Sequence, residues 1–111
     1  MRILIVEDEM TIALLLEDML TELGHEVAGI AMRLPKALEL ARDAEFDLAI
    51  LDVNLDGHMS FPIADILVER QVPFLFASGY GAAGVVGAHK DRPVLRKPFE
   101  LKDLQDAIER L

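Results

Sequence analysis

Short apolar runs alternate along this chain with longer stretches of helical period, and that alternation predicts the architecture. Ile3 to Val6 reads as a first strand. Met10 to Leu23 then places Ile12, Leu16, Met19, Leu20 and Leu23 on one helical face, and Gly24 follows as a stop. Glu26 to Ala31 is a second, weaker strand. Pro35 opens a second helix near its first turn, where its missing N–H costs nothing, with Leu34, Ala37, Leu38 and Ala41 among the apolar positions. Asp47 to Val53 is a third strand, buried through its centre, and a loop with Asp56-Gly57 comes next. Pro62 begins a helix to about Arg70, capped near Ser60 or Phe61. Pro73 to Ala77 is a fourth strand. Gly79 to Gly87 supports at best a short or loose helix, because each interior Gly costs about 1 kcal/mol relative to Ala. Pro93 to Arg96 is a fifth strand, and the last helix aligns Leu101, Leu104, Ile108 and Leu111.

Five strand–helix repeats with right-handed crossovers predict an α/β domain with a doubly wound, five-stranded parallel sheet, (βα)5. In such sheets, sites gather at the carboxyl ends of the strands. That rule selects Glu7-Asp8, with Glu9 following, after the first strand; Asp52 at the end of the third; Ser78 at the end of the fourth; and Arg96-Lys97-Pro98 at the end of the fifth. Acidic side chains crowded at one edge repel one another, and a hard, oxygen-seeking cation such as Mg²⁺ (or Mn²⁺) resolves the repulsion. An ammonium and a hydroxyl beside that cation make a cradle for phosphoryl oxygens, with Asp52 as the nucleophile of an aspartyl phosphate.

Composition narrows the classes. The 111 residues suit one domain, residues 1–111, and 52% hydrophobic content with only 5% aromatics calls for an aliphatic core. Met1 and a complete last helix favour a natural single-domain chain. The absence of cysteine excludes disulfides, zinc–thiolate sites and thiol catalysis. The apolar run after Met1-Arg2 is too short for a signal peptide or membrane span, so no membrane association and a cytoplasmic location are expected. A net charge of −9 argues against nucleic acid as a partner.

Taken together and in order, Val-Glu-Asp-Glu, Leu-Asp-Val-Asn, Ala-Ser-Gly and Lys-Pro-Phe resemble the receiver (CheY-like) domain of bacterial two-component response regulators, over the whole chain. The resemblance implies a flavodoxin-like strand order 2-1-3-4-5. It implies metal ligation by Glu7, Asp8, Asp52 and the backbone carbonyl of Asn54, and phosphorylation on Asp52 by a histidine kinase or phosphotransfer protein. It further implies a switch hydroxyl at Ser78, a phosphate contact from Lys97 and a cis bond at Pro98. Output would be a contact with a downstream protein, or with a second copy, through the fourth helix, fifth strand and fifth helix; a relay or phosphate sink is the other outcome. Such a chain does chemistry on itself and is not an enzyme with turnover. The rival class is a receiver fold that binds a partner without phosphorylation.

Three features depart from the common pattern. The loop after Asp52 lacks the usual proline. Val94 stands where a switching Tyr or Phe is usual. Phe76-Ala77-Ser78-Gly79-Tyr80-Gly81 resembles a receiver subgroup with a Phe-Ala-Thr-Gly motif, found with unusual histidine kinases in alphaproteobacteria.

Plainer roles compete with some of these. The acids of residues 7–9 also suit the start of the first helix. Asp52 also suits an Asx turn, and Ser78 a turn hydroxyl bonded to backbone. Lys97 can be read as an ordinary surface lysine. Tyr80 is an exposed ring, a partner contact or a gate that slows water attack. His25, His58 and His89 have no ligand-like spacing and are expected at the surface. Gly79 to Gly84 matches G-x-G-x-x-G but follows the fourth strand, with no acidic ribose partner after the next, so it reads as a flexible segment and not a dinucleotide site.

Overall fold

The computed structural model describes residues 1–79, 85 and 87–111. Its described elements are β1 (Arg2–Val6), α1 (Met10–Glu22), β2 (Glu26–Ala31), α2 (Leu34–Asp43), β3 (Leu48–Asp52), β4 (Asn54–Leu55), β5 (His58–Met59), α3 (Phe61–Arg70), β6 (Phe74–Ser78), β7 (Val94–Arg96) and α4 (Leu101–Glu109), with a 3₁₀ turn at Gly87–His89. Five strands form a parallel sheet in the order β2-β1-β3-β6-β7. Because β6 and β7 are the fourth and fifth strands of that sheet, this is the expected order 2-1-3-4-5. The expected helix over Gly79 to Gly87 falls largely on residues 80–84 and 86, outside the described residues.

Strand alternation sorts the core into two layers. Ile3, Ile5, Leu48, Ile50, Leu75, Ala77 and Leu95 pack on one face with Ala13, Leu16 and Leu20 of α1 and Leu104 and Ile108 of α4. Leu4, Val6, Ala49, Leu51, Phe74 and Phe76 pack on the other with Ala37 and Ala41 of α2 and Ile63, Ala64 and Leu67 of α3. The central strands read as continuous apolar runs because both faces are covered. Leu111, expected on the buried face of the last helix, lies beyond the Arg110 C-cap of α4, outside the helical periodicity that buries Leu104 and Ile108, and is exposed.

The loop expected after Asp52 contains a small antiparallel hairpin, β4–β5, with Leu55 opposite His58. Its two-residue turn is Asp56-Gly57, both at positive φ (52° and 84°), as a type I′ hairpin turn requires. Asp-Gly is the sequence signal for such a turn. The strands flanking it are too short to show an alternating pattern.

Candidate functional site

Glu7 follows β1 directly, and its backbone N–H donates to the Ala31 carbonyl of β2 at 3.0 Å. The chain turns there to start α1, so Glu7 and Asp8 precede the helix, whose N-cap is Glu9 without a side-chain capping bond. Asp52 is the last residue of β3 and pairs in register with Ala77 of β6; Ser78 is one residue further on. Ser78 pairs with Arg96, and its carbonyl accepts the Lys97 N–H at 2.9 Å, so the end of β6 fixes where the lysine leaves β7. The Lys97–Pro98 peptide is cis.

These placements bring Glu7, Asp8 and Asp52 together, with one carboxylate oxygen from each within 4.8 Å of the others. Opposite oxygens around a six-coordinate Mg²⁺ stand about 4.2 Å apart, so this all-oxygen donor set suits a small hard cation in chemistry and needs at most a slight contraction to ligate one. Glu7 is 1% exposed. The Lys97 ammonium lies 2.8 Å from Glu7 Oε2 and 3.3 Å from Asp52 Oδ1. Glu7 Oε1 also accepts the Glu9 N–H at 3.2 Å.

The charges are unbalanced, and the acidities register it. Burial, together with the negative charge of Glu7, pushes the Asp52 carboxyl up to about 7 against the opposing pull of Lys97. Burial works against the charge on Lys97, but its hydrogen bond to Glu7 and the charges of Asp52 and Glu7 prevail and raise its pKa. For Asp8 the burial cost is likewise outweighed: the Asp56 N–H, which donates to Oδ2 at 2.9 Å, holds this carboxyl below its ordinary value.

Ser78 is buried and engaged at the end of β6. Asn54 is exposed at the start of the hairpin, and its Oδ1 accepts the Gly57 N–H at 2.9 Å, so the side chain shapes the turn. Tyr80 lies outside the described residues, as do positions 80–84 of the G-x-G-x-x-G match. Val94 pairs with Phe76 and packs at the margin of the core layer under α2 and α3. His89 is not at the surface. It is buried, with its ring 5.9 Å from Phe61, 6.2 Å from Phe74 and 6.1 Å from Phe76, and its Nε2 sits 2.7 Å from Asp65 Oδ1. Local sequence offered no sign of this, since the three phenylalanines converge from two separate elements.

Comparison with known proteins gives the arrangement its family. The response regulator receiver domain family matches residues 3–109. This chain belongs to that family. Receiver domains are the signal-transduction domains of two-component systems, and they bind Mg²⁺ at an acidic pocket of this kind. The solution structure of SdrG from Sphingomonas melonis Fr1 is similar at TM-score 0.87, with 43% identity, covering 97% of this receiver and 92% of that chain. The receiver domain of PhyR from Erythrobacter litoralis is similar at TM-score 0.85, with 30% identity, over 98% of this receiver and 87% of that chain. These neighbours are consistent with the alphaproteobacterial subgroup indicated by the Phe76–Gly81 motif. Among curated proteins, the transcriptional regulatory protein PdtaR of Mycobacterium tuberculosis is 34% identical over 97% of this receiver, which corresponds to 55% of PdtaR. The receiver thus spans about half the length of the curated relatives it first matches. Among the described residues, no helix is long and apolar enough to cross a membrane.

Proposed function

We propose that this chain is a response-regulator receiver that accepts a phosphoryl group on Asp52 from a histidine kinase or phosphotransfer protein. One observation carries the reading: a half-buried carboxylate at the end of β3 stands beside two further carboxylates and 3.3 Å from a lysine ammonium. An Asp52 oxygen forms the new bond to phosphorus as the bond to the donor's imidazole nitrogen breaks, and the imidazole leaves with the electron pair. Glu7, Asp8, Asp52 and the Asn54 backbone carbonyl would hold Mg²⁺ or Mn²⁺. When bound, the cation supplies positive charge against the phosphoryl oxygens. Lys97 sits where its ammonium can move from the shared Glu7–Asp52 position onto a phosphoryl oxygen, and Ser78 offers a hydroxyl from the neighbouring strand end. The similar SdrG has been described in a BeF3-activated conformation, which supports an activation step of this kind here.

Output is a protein contact, a phosphate relay or a phosphate sink, with no turnover on a separate substrate. With Val94 in place of the usual aromatic, the common ring switch on that strand is not the route of signalling.

Incubation with acetyl phosphate and Mg²⁺ tests the reading. Mass spectrometry should show one added phosphoryl group on the wild type and none on Asp52→Asn. No adduct, under conditions that label a control receiver, would leave the phosphorylation-independent interaction module as the function.

A further inference from the structure

Asp8 is the most exposed of the three clustered acids, and its carboxylate is held by a group that no local motif announced. The Asp56 N–H donates to Asp8 Oδ2 at 2.9 Å across 48 residues of sequence. Asp56 occupies the first turn position of the β4–β5 hairpin at φ 52°, a left-handed conformation that few non-glycine residues adopt. Two side chains hold the turn there. Asn54 Oδ1 accepts the Gly57 N–H at 2.9 Å from within the hairpin. Arg33, the N-cap residue of α2, reaches from the loop after β2, and its Nε lies 3.3 Å from Asp56 Oδ2. The same residue therefore presents its carboxylate to Arg33 and its N–H to Asp8. A flexible two-residue turn becomes a clamp tied at both ends.

We propose that Arg33, acting through the Asp56 turn, is a positioning residue for the Asp8 carboxylate and thereby tightens the site's hold on its divalent cation. The inference rests on the metal assignment under Proposed function. Its physical content is preorganisation: a carboxylate already fixed by an N–H loses less rotational freedom when it takes a metal ligand position. The opposite expectation follows from charge alone. Arg33 is a cation near an acidic cluster, so removing it should strengthen Mg²⁺ binding by simple Coulomb attraction. The two accounts differ in sign, which makes the test sharp.

The test is a Mg²⁺ titration of the whole chain, followed by amide NMR shifts, with no phosphodonor present. Arg33→Ala should weaken Mg²⁺ binding about two- to fivefold, the modest size of an exposed ion pair's influence. Arg33→Lys should restore part of the loss. In the same spectra the Asp56 amide should exchange faster with solvent in Arg33→Ala, while amides of the sheet keep their shifts and report an intact fold. In an Asp56→Ala background, Arg33→Ala should have no further weakening effect. Unchanged or tighter binding in Arg33→Ala, no recovery with lysine, or an undiminished effect in the Asp56→Ala background would each overturn the proposal. Wild-type protein that binds Mg²⁺ no better than Asp8→Ala would overturn the metal assignment itself. Wild-type binding that depends on Asp8 but not on Arg33 would overturn only the positioning role.

Discussion

The Lys97 ammonium is closer to Glu7, at 2.8 Å, than to Asp52, at 3.3 Å, so the lysine is shared between a metal-type ligand and the acceptor. Glu7 is nearly inaccessible, and Lys97 is the cation that balances it. Lys97→Ala leaves that carboxylate buried without its partner and should destabilise the protein by about 2–3 kcal/mol, somewhat less than for a fully buried pair because Lys97 retains some exposure. Pairing it with Glu7→Gln should recover most of the loss, as read by urea denaturation. The single lysine variant should also be phosphorylated by acetyl phosphate about 10²-fold more slowly, the scale of losing one preorganised charge partner.

The raised pKa of Asp52 makes the metal-free protein pH-sensitive. In the unfolded chain Asp52 titrates near the ordinary carboxylate value of about 4, and in the fold at about 7. The folded state therefore holds a proton that the unfolded state has lost through this window. Stability contributed by Asp52 is fully present below about pH 4 and declines as pH rises toward 7. In EDTA, the difference in Tm between Asp52→Asn and wild type should widen from pH 5 to pH 7.5 in favour of the variant. Saturating Mg²⁺ should shrink or reverse it. A difference independent of pH would contradict the assignment.

The hairpin turn supplies a separate test. Gly57 has φ 84°, with open space where a Cβ would stand, so the cost of Gly57→Ala is backbone strain and not a clash. That cost should be about 1 kcal/mol. Because the Asp56 amide moves with the turn, Mg²⁺ affinity should fall with it, whereas Gly24→Ala, also at positive φ but at the far end of α1, should lose stability alone.

His89 ties the 3₁₀ turn before β7 to α3 through Asp65 and sits against three phenylalanine rings. His89→Ala should open a cavity there and cost about 2–3 kcal/mol. Asp65→Ala removes one largely exposed partner and should cost about 1 kcal/mol. Thermal denaturation of both variants and their double mutant should give a combined loss smaller than the sum, because the two residues share one hydrogen bond.

Much of this molecule was legible in the linear chain. Apolar runs of strand length between helical periods led to the five-stranded parallel sheet, the family resemblance supplied its strand order, and the bounds of β2 and the start of α1 agree to the residue. Glu7, Asp8, Asp52, Ser78 and Lys97 were legible as a group because parallel strands must all end on one edge, so residues at strand ends converge whatever the details of packing. Local periodicity and strand-end position are short-range properties, and the sequence by itself determined them. The partners within the site are long-range. Lys97 standing nearer Glu7 than Asp52, the Asp56 N–H on Asp8, Arg33 on Asp56, and His89 buried among Phe61, Phe74 and Phe76 all join residues from separate elements. Such pairings depend on ångström distances and on which charges lose their water, and only the tertiary structure decided them.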